Sequence, residues 1–180
     1  MRIISGKHRS RIINMVDIDT TRETTDKVRG AIFNLISFYP IKGTCLDLFS
    51  GSGAMGLEAL SRGCTKAYFN DLGKKAYTVT KQNCKALGYE REVFVTNLDY
   101  KKALELYKEP FDFIFLDPPY KLDCCNEIIA FIEQKELLTK DGFIICEVDK
   151  ETVINPTESF EIYKEKEYGI RTVYILRYRD

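Results

Sequence analysis

The sequence predicts a doubly wound α/β fold with a mostly parallel sheet. Three observations predict it. Residues 44–56 (TCLDLFSGSGAMG) pass from an apolar strand into a helix through Gly51, Gly53 and Gly56, a G-x-G-x-x-G turn. Strand and helix patterns then alternate as far as Glu147. Within that alternation Phe111-Asp112-Phe113-Ile114-Phe115-Leu116 is an almost continuous apolar run, as a parallel strand covered on both faces reads.

In chain order, residues 2–16 set apolar pairs (Ile3-Ile4, Ile12-Ile13) among Arg2, Lys7, His8, Arg9 and Arg11, with a turn at Gly6-Lys7. This predicts a β-hairpin with a basic tip. Four Lys or Arg and no acids fall in 1–16, whereas the whole chain balances 27 against 27. Such a patch suits phosphate contacts, or a solvated hairpin. Thr20 to Asp26 reads as a loop ending in a helix N-cap, with Asp26 at the positive end of the helix dipole. The helix is expected to reach about Phe38 on a stripe of Val28, Ala31, Ile32, Leu35, Ile36 and Tyr39, leaving Arg22, Lys27, Arg29 and Asn34 towards the polar side. Pro40 ends it.

Cys45 to Phe49 is the next strand, and a helix opens at Ala54, turns Glu58 outward and stops at Gly63. Strands are expected over 66–70, 92–96, 111–116 and 143–147, and helices over 74–87, which Gly88 closes, and 100–107. A further helix carries Cys125, Ile128, Ile129 and Ile132, and Asp141-Gly142 makes a turn. The tail changes character: 160–164 and 171–178 read as an antiparallel pair.

The 180 residues suit one domain, large enough to bury roughly 70% of the surface its unfolded form exposes. Zero net charge and a pI of 6.6 exclude a global basic field, so any nucleic-acid site is a local patch. Six cysteines without C-x-x-C spacing read as reduced core residues of a cytoplasmic protein, and a single histidine argues against a mixed zinc site, so no metal is expected. The chain starts without a signal-like apolar run, and nothing approaches the ~20 apolar residues of a membrane helix, so no membrane partner is expected.

In a doubly wound sheet, ligands bind at the carboxyl ends of the strands. Four acids fall at such ends: Asp47 with Gly51, then Asp71, Asp99 and Asp117. Asp47 sits inside a strand where an apolar side chain is usual, so it meets a cation or caps backbone N–H groups. An amino-acid-like ammonium suits it better than a pyrophosphate, which favours S-adenosylmethionine over NAD. Asp71, 20 residues after Gly51, is placed to bind ribose hydroxyls. Asp99 either caps its helix or accepts from an adenine amino group, with the backbone after Asn97 holding the ring.

Asp117-Pro118-Pro119-Tyr120 is the sharpest signal. Two prolines directly after a buried strand cannot extend its ladder, so they fix a rigid turn. An ionised carboxylate, the Pro118 carbonyl and the Tyr120 ring then offer two acceptors and a stacking platform. A planar heterocycle with an exocyclic amine fits that set.

Residues 46–53 (LDLFSGSG), 56–63 (GLEALSRG) and 117–120 (DPPY) resemble the RsmD-type family of ribosomal RNA guanine-N2 methyltransferases. The likeness extends to 2–7 (RIISGK), 21–29 (TRETTDKVR), Phe33-Asn34, and Tyr168-Gly169 with Thr172, so it spans nearly the whole chain. Glu23 departs from a usual proline, Gly30 from a usual acid and Asp71 from a usual glutamate. The first two bear on the RNA-facing loop; the third keeps a carboxylate.

The resemblance implies a Rossmann-like class I methyltransferase, with 1–40 an RNA-facing hairpin and helix and 41–180 the cofactor-binding catalytic core. It implies methyl transfer from S-adenosylmethionine to N2 of a guanine in small-subunit (16S) ribosomal RNA, free or within an assembling subunit. Asp117, Pro118, Pro119 and Tyr120 would be catalytic. Asp47, Phe49, Gly51, Ser52, Gly53, Asp71, Leu72, Asn97, Leu98, Asp99 and Asp117 would bind the cofactor, and Arg2, Lys7, Arg9, Arg11, Arg22, Lys27 and Arg29 the RNA. The same turn suits N6 of adenine in DNA or RNA. A nicotinamide oxidoreductase leaves Asp47 and the double proline unexplained, and a noncatalytic RNA-binding module would show no cofactor affinity.

Overall fold

The computed structural model describes residues 1–17 and 24–180. Thr20 to Glu23, and with them Arg22, lie outside the described residues. The strands β1 (Thr44–Asp47), β2 (Lys66–Asn70), β3 (Val93–Thr96), β4 (Phe111–Leu116), β5 (Leu138–Asp149), β6 (Phe160–Tyr168) and β7 (Arg171–Tyr178) form one sheet in the order β3-β2-β1-β4-β5-β7-β6. The first five are parallel; β7 runs antiparallel to both β5 and β6. The order reverses between β1 and β4, so the switch point, where such sheets bind ligands, falls between the ends carrying Asp47 and Asp117.

Side chains alternate across the strands, so each strand feeds two cores. Cys45, Phe69, Phe113 and Phe143 pack with Ile32 and Phe33 of α1 (Asp26–Leu35), Leu57 of α2 (Ala54–Arg62) and Cys84 of α3 (Lys74–Ala86). Leu46, Ile114 and Ile144 face the other way, onto Leu104 of α4 (Tyr100–Leu106) and Ile128 of α5 (Cys125–Gln134). All six cysteines are buried free thiols within these layers.

Four local expectations are revised. Helix α1 ends at Leu35 rather than near Phe38, and Thr25 is its N-cap, accepting from the Val28 N–H. Strand β5 begins at Leu138 and runs through the turn expected at Asp141-Gly142. The turn survives as a jump in register: Phe111 pairs with Leu138 and Phe113 already with Phe143. The N-terminal hairpin closes through a single Arg2–Ile12 bridge, flanked by Ile3–Arg11 and Ile13–Met1 backbone bonds, rather than through two strands.

The fourth revision fixes where the N-terminal segment sits. Glu58, expected outward, is fully buried. Its carboxylate accepts from the Ile4 and Ser5 N–H groups at 2.8 and 3.1 Å, from Arg29 Nε at 3.2 Å and from Arg62 Nε at 3.1 Å. Arg29, expected on the polar face and counted among the RNA contacts, is buried with it. Its guanidinium pairs with Glu58 and Asp26 and donates to the Arg2 carbonyl. A buried carboxylate requires such partners, and here they clamp α1 and the hairpin onto α2. At the tip, a Cβ on Gly6 (φ +85°) would lie 1.8 Å from the Ser61 carbonyl oxygen, so only glycine permits the docking that brings the Lys7 N–H onto that carbonyl.

Candidate active site

A cavity of about 820 Å³ opens at the carboxyl ends of β1, β2 and β4, within the size range of small-molecule sites. Of the residues expected to bind cofactor, Asp47, Phe49, Gly51, Ser52, Asp71, Leu72, Leu98, Asp99 and Asp117 line it. So do Pro118, Pro119 and Tyr120. Gly53 and Asn97 stand behind the lining. Gly53 takes the left-handed conformation (φ +83°) that starts α2. Asn97 donates from Nδ2 to the Asp71 and Leu72 carbonyls at 2.8 and 3.0 Å, bracing the loop that carries them.

Each strand-end acid has a structural partner as well as a face on the cavity. Asp47 is buried and its Oδ2 accepts from the Gly56 N–H at 3.0 Å, tying β1 to the first turn of α2. Asp71 accepts from the Gly51 and Gly73 N–H groups at 2.9 and 2.8 Å, and a carboxylate retains further lone pairs. Asp99 caps α4 by accepting from the Lys101 N–H at 2.9 Å. Phe49 leans on Tyr100, ring centroids 5.7 Å apart, and gives the cavity an aromatic wall.

Four residues that sequence reasoning missed complete the site. Buried Asn70 ends β2 and ties three strand ends together, donating to the Leu98 carbonyl at 2.9 Å and accepting from Thr96 Oγ1 at 2.7 Å. Arg171 donates to Asp117 Oδ1 at 2.7 Å and to Asp149 Oδ1 at 3.0 Å, and lies 3.6 Å from Glu147 Oε1. Thr24 Oγ1 lies 3.1 Å from Asp117 Oδ2 and 2.6 Å from Glu147 Oε2. Glu147 carried a usable signal: it is the one charge in the apolar run 143–148 of β5, as Asp117 is the acid after β4. Arg171 and Thr24 carried none, being far from Asp117 in sequence.

Burial, and then the Glu147 carboxylate, push the Asp117 carboxyl well above the usual carboxylate range, against the opposing pull of Arg171 and Thr24. Pro119 closes the turn by accepting from the Leu122 N–H at 2.9 Å, and the Tyr120 ring stands 74% exposed at the rim. Among the described residues, Arg171 is the one cationic side chain in the lining, and it is already ion-paired. Five carboxylates share that lining: Asp47, Asp71, Asp99, Asp117 and Asp149. This donor set disfavours a pyrophosphate and suits a ligand with positive charge and hydroxyl donors.

The sheet order and the cavity at its switch point define a class I methyltransferase, and solved structures of that class superpose on the chain. The Escherichia coli protein yhhF, provisionally described as a methyltransferase, aligns over 100% of this chain and 98% of its own, at a TM-score of 0.87 and 26% identity. A family profile described as conserved hypothetical protein 95 matches residues 1–177. YlbH of Bacillus subtilis, provisionally named an rRNA methyltransferase, is 39% identical, over 99% of this chain and 100% of its own. Ribosomal RNA small subunit methyltransferase D of Buchnera aphidicola is 35% identical, over 91% of this chain and 86% of its own. The chain belongs to this family, the RsmD-type methyltransferases.

Among the described residues no helix is long and apolar enough to cross a membrane, and no group of three or more His, Cys, Asp or Glu is placed to hold a metal ion.

Proposed function

We propose that this protein transfers a methyl group from S-adenosylmethionine to the exocyclic N2 of a guanine in small-subunit ribosomal RNA, free or within an assembling subunit. One observation carries the reading: the rigid Asp117-Pro118-Pro119-Tyr120 turn stands at the rim of a carboxylate-lined cavity at the switch point. When bound, S-adenosylmethionine supplies a methyl already activated by its sulfonium. Asp47 would receive the ammonium group, Asp71 with Leu72 the ribose, and Asn97, Leu98 and Asp99 the adenine edge, while Phe49, Gly51, Ser52 and Gly53 shape the remaining wall.

Guanine N2 is a weak nucleophile because its lone pair is delocalised into the ring. Asp117 Oδ1 and the Pro118 carbonyl would accept its two N–H donors and favour the pyramidal nitrogen that forms as the bond is made. Tyr120 would stack on the extruded base, and the double proline would hold both acceptors in a fixed position for the transfer. In this reading residues 1–40 are the RNA-facing part, with Arg2, Lys7, Arg9, Arg11 and Lys27 on the phosphates; all five are exposed.

The test is mass spectrometry of nucleosides from ribosomal RNA incubated with the protein and methyl-labelled S-adenosylmethionine. Labelled N2-methylguanosine, lost in Asp117→Ala, is expected. Labelled N6-methyladenosine would overturn the acceptor assignment.

A further inference from the structure

Thr24 Oγ1 touches two carboxyl groups, Glu147 and Asp117, yet a hydroxyl carries one proton. Unless the hydroxyl shares its one proton between them, a second proton on one carboxyl is what makes both contacts full hydrogen bonds. Charge makes the same demand. Three carboxylates, Asp117, Glu147 and Asp149, lie on the single guanidinium of Arg171, and a bound proton removes one of the two uncompensated charges.

The geometry also says where that proton sits. Asp117 Oδ1 accepts from Arg171, so a proton on this carboxyl would sit on Oδ2, 3.1 Å from Thr24 Oγ1, and would donate to that hydroxyl. The Thr24 proton then points at Glu147 Oε2, the shorter contact. The groups around the pair are Asp47 ending β1, Asp149 on β5, Arg171 on β7 and Cys125 on α5.

We propose that Asp117, Thr24 and Glu147 form a proton relay, and that Glu147 is its terminal acceptor for the proton an exocyclic amine loses on methylation. The relay rests on the function proposed above. The nitrogen lone pair forms the new N–C bond while the S–C bond breaks and leaves its electron pair on sulfur. The nitrogen then gives its proton to Asp117 Oδ1, Asp117 Oδ2 passes its own to Thr24, and Thr24 passes its own to Glu147. Asp117 is neutral before and after; Glu147 becomes neutral, and its proton returns by the same route to water once the cavity empties.

The test combines infrared spectroscopy of the ligand-free protein with single-turnover methylation across pH, in the parent, Glu147→Gln, Thr24→Val and Asp117→Asn. A protonated-carboxyl band is expected at neutral pH in the parent. It should vanish in Asp117→Asn and titrate at lower pH in Glu147→Gln, where the like charge is gone. Methyl transfer in Glu147→Gln and Thr24→Val should fall about 10²-fold at neutral pH, recover as pH rises, and leave cofactor affinity by calorimetry unchanged. A parent that methylates guanine without the band overturns the relay alone, as does a Glu147→Gln variant with the parent's rate and pH profile. A parent that shows the band and methylates no guanine overturns the function and the relay together.

Discussion

Gly56 meets two demands at once. Its N–H holds Asp47, and its α-carbon lies against the fully buried ring of Phe69. A Cβ there would come within 2.3 Å of Phe69 Cε1 and 2.7 Å of Cζ. The third glycine of the motif therefore serves close helix-on-strand packing, while Gly51 and Ser52 before it line the cavity. Gly56→Ala gains up to about 1 kcal/mol of helix propensity. Overpacking costs about 1–3 kcal/mol, and Phe69 has no space to yield, so a net loss is expected. A urea denaturation curve should show a lower midpoint, and weaker cofactor binding should accompany it because α2 and the loop move together. A raised midpoint would mean the ring can shift.

At the scale of elements, α2 joins the N-terminal segment to the sheet through one charged side chain. Glu58→Gln keeps the shape and removes the charge that buried Arg29 and half-buried Arg62 share. Removing one partner of a buried pair costs about 3–5 kcal/mol, and Asp26, still bonded to Arg29, puts the expectation at the low end. Equilibrium unfolding measures the loss, and limited proteolysis should cut first within residues 5–17, whose docking then rests on Ser61, Asn83 and Ala86 without the charged clamp at Ile4 and Ser5. Equal protease resistance would show that the hairpin docks without Glu58. The parallel strands and the acids at their ends were legible because apolar runs and strand-to-helix turns are local signals. Glu58 and Arg29 were not, because helical periodicity reports which face is apolar and says nothing of two charges 29 residues apart that bury one another. Arg171 reaching Asp117 across 54 residues escaped for the same reason.

Across the whole molecule, a neutral chain separates its charges. The cavity at the carboxyl edge of the sheet is acidic, whereas the basic tip docks on Ser61 and on the Ala86 carbonyl, at the far ends of α2 and α3. Helix α2 has 9 residues and so spans about 13 Å. Lys7, Arg9 and Arg11 thus stand about one helix length from the rim, and only an extended polyanion can touch both. An RNA strand entering the cavity and continuing along the α2–α3 face would do so, its phosphates held by the tip and its base by Tyr120. On that path, replacing Lys7 and Arg9 together by alanine would remove two phosphate contacts and no packing, since both side chains are exposed. The slope of log affinity against log salt for a ribosomal RNA fragment, read by fluorescence anisotropy, should become shallower by about two. Cofactor affinity should be unchanged, and the methylation rate at saturating RNA should hold, because neither residue lines the cavity. An unchanged slope would place the RNA on another face and leave the hairpin a purely structural brace for α1 and α2.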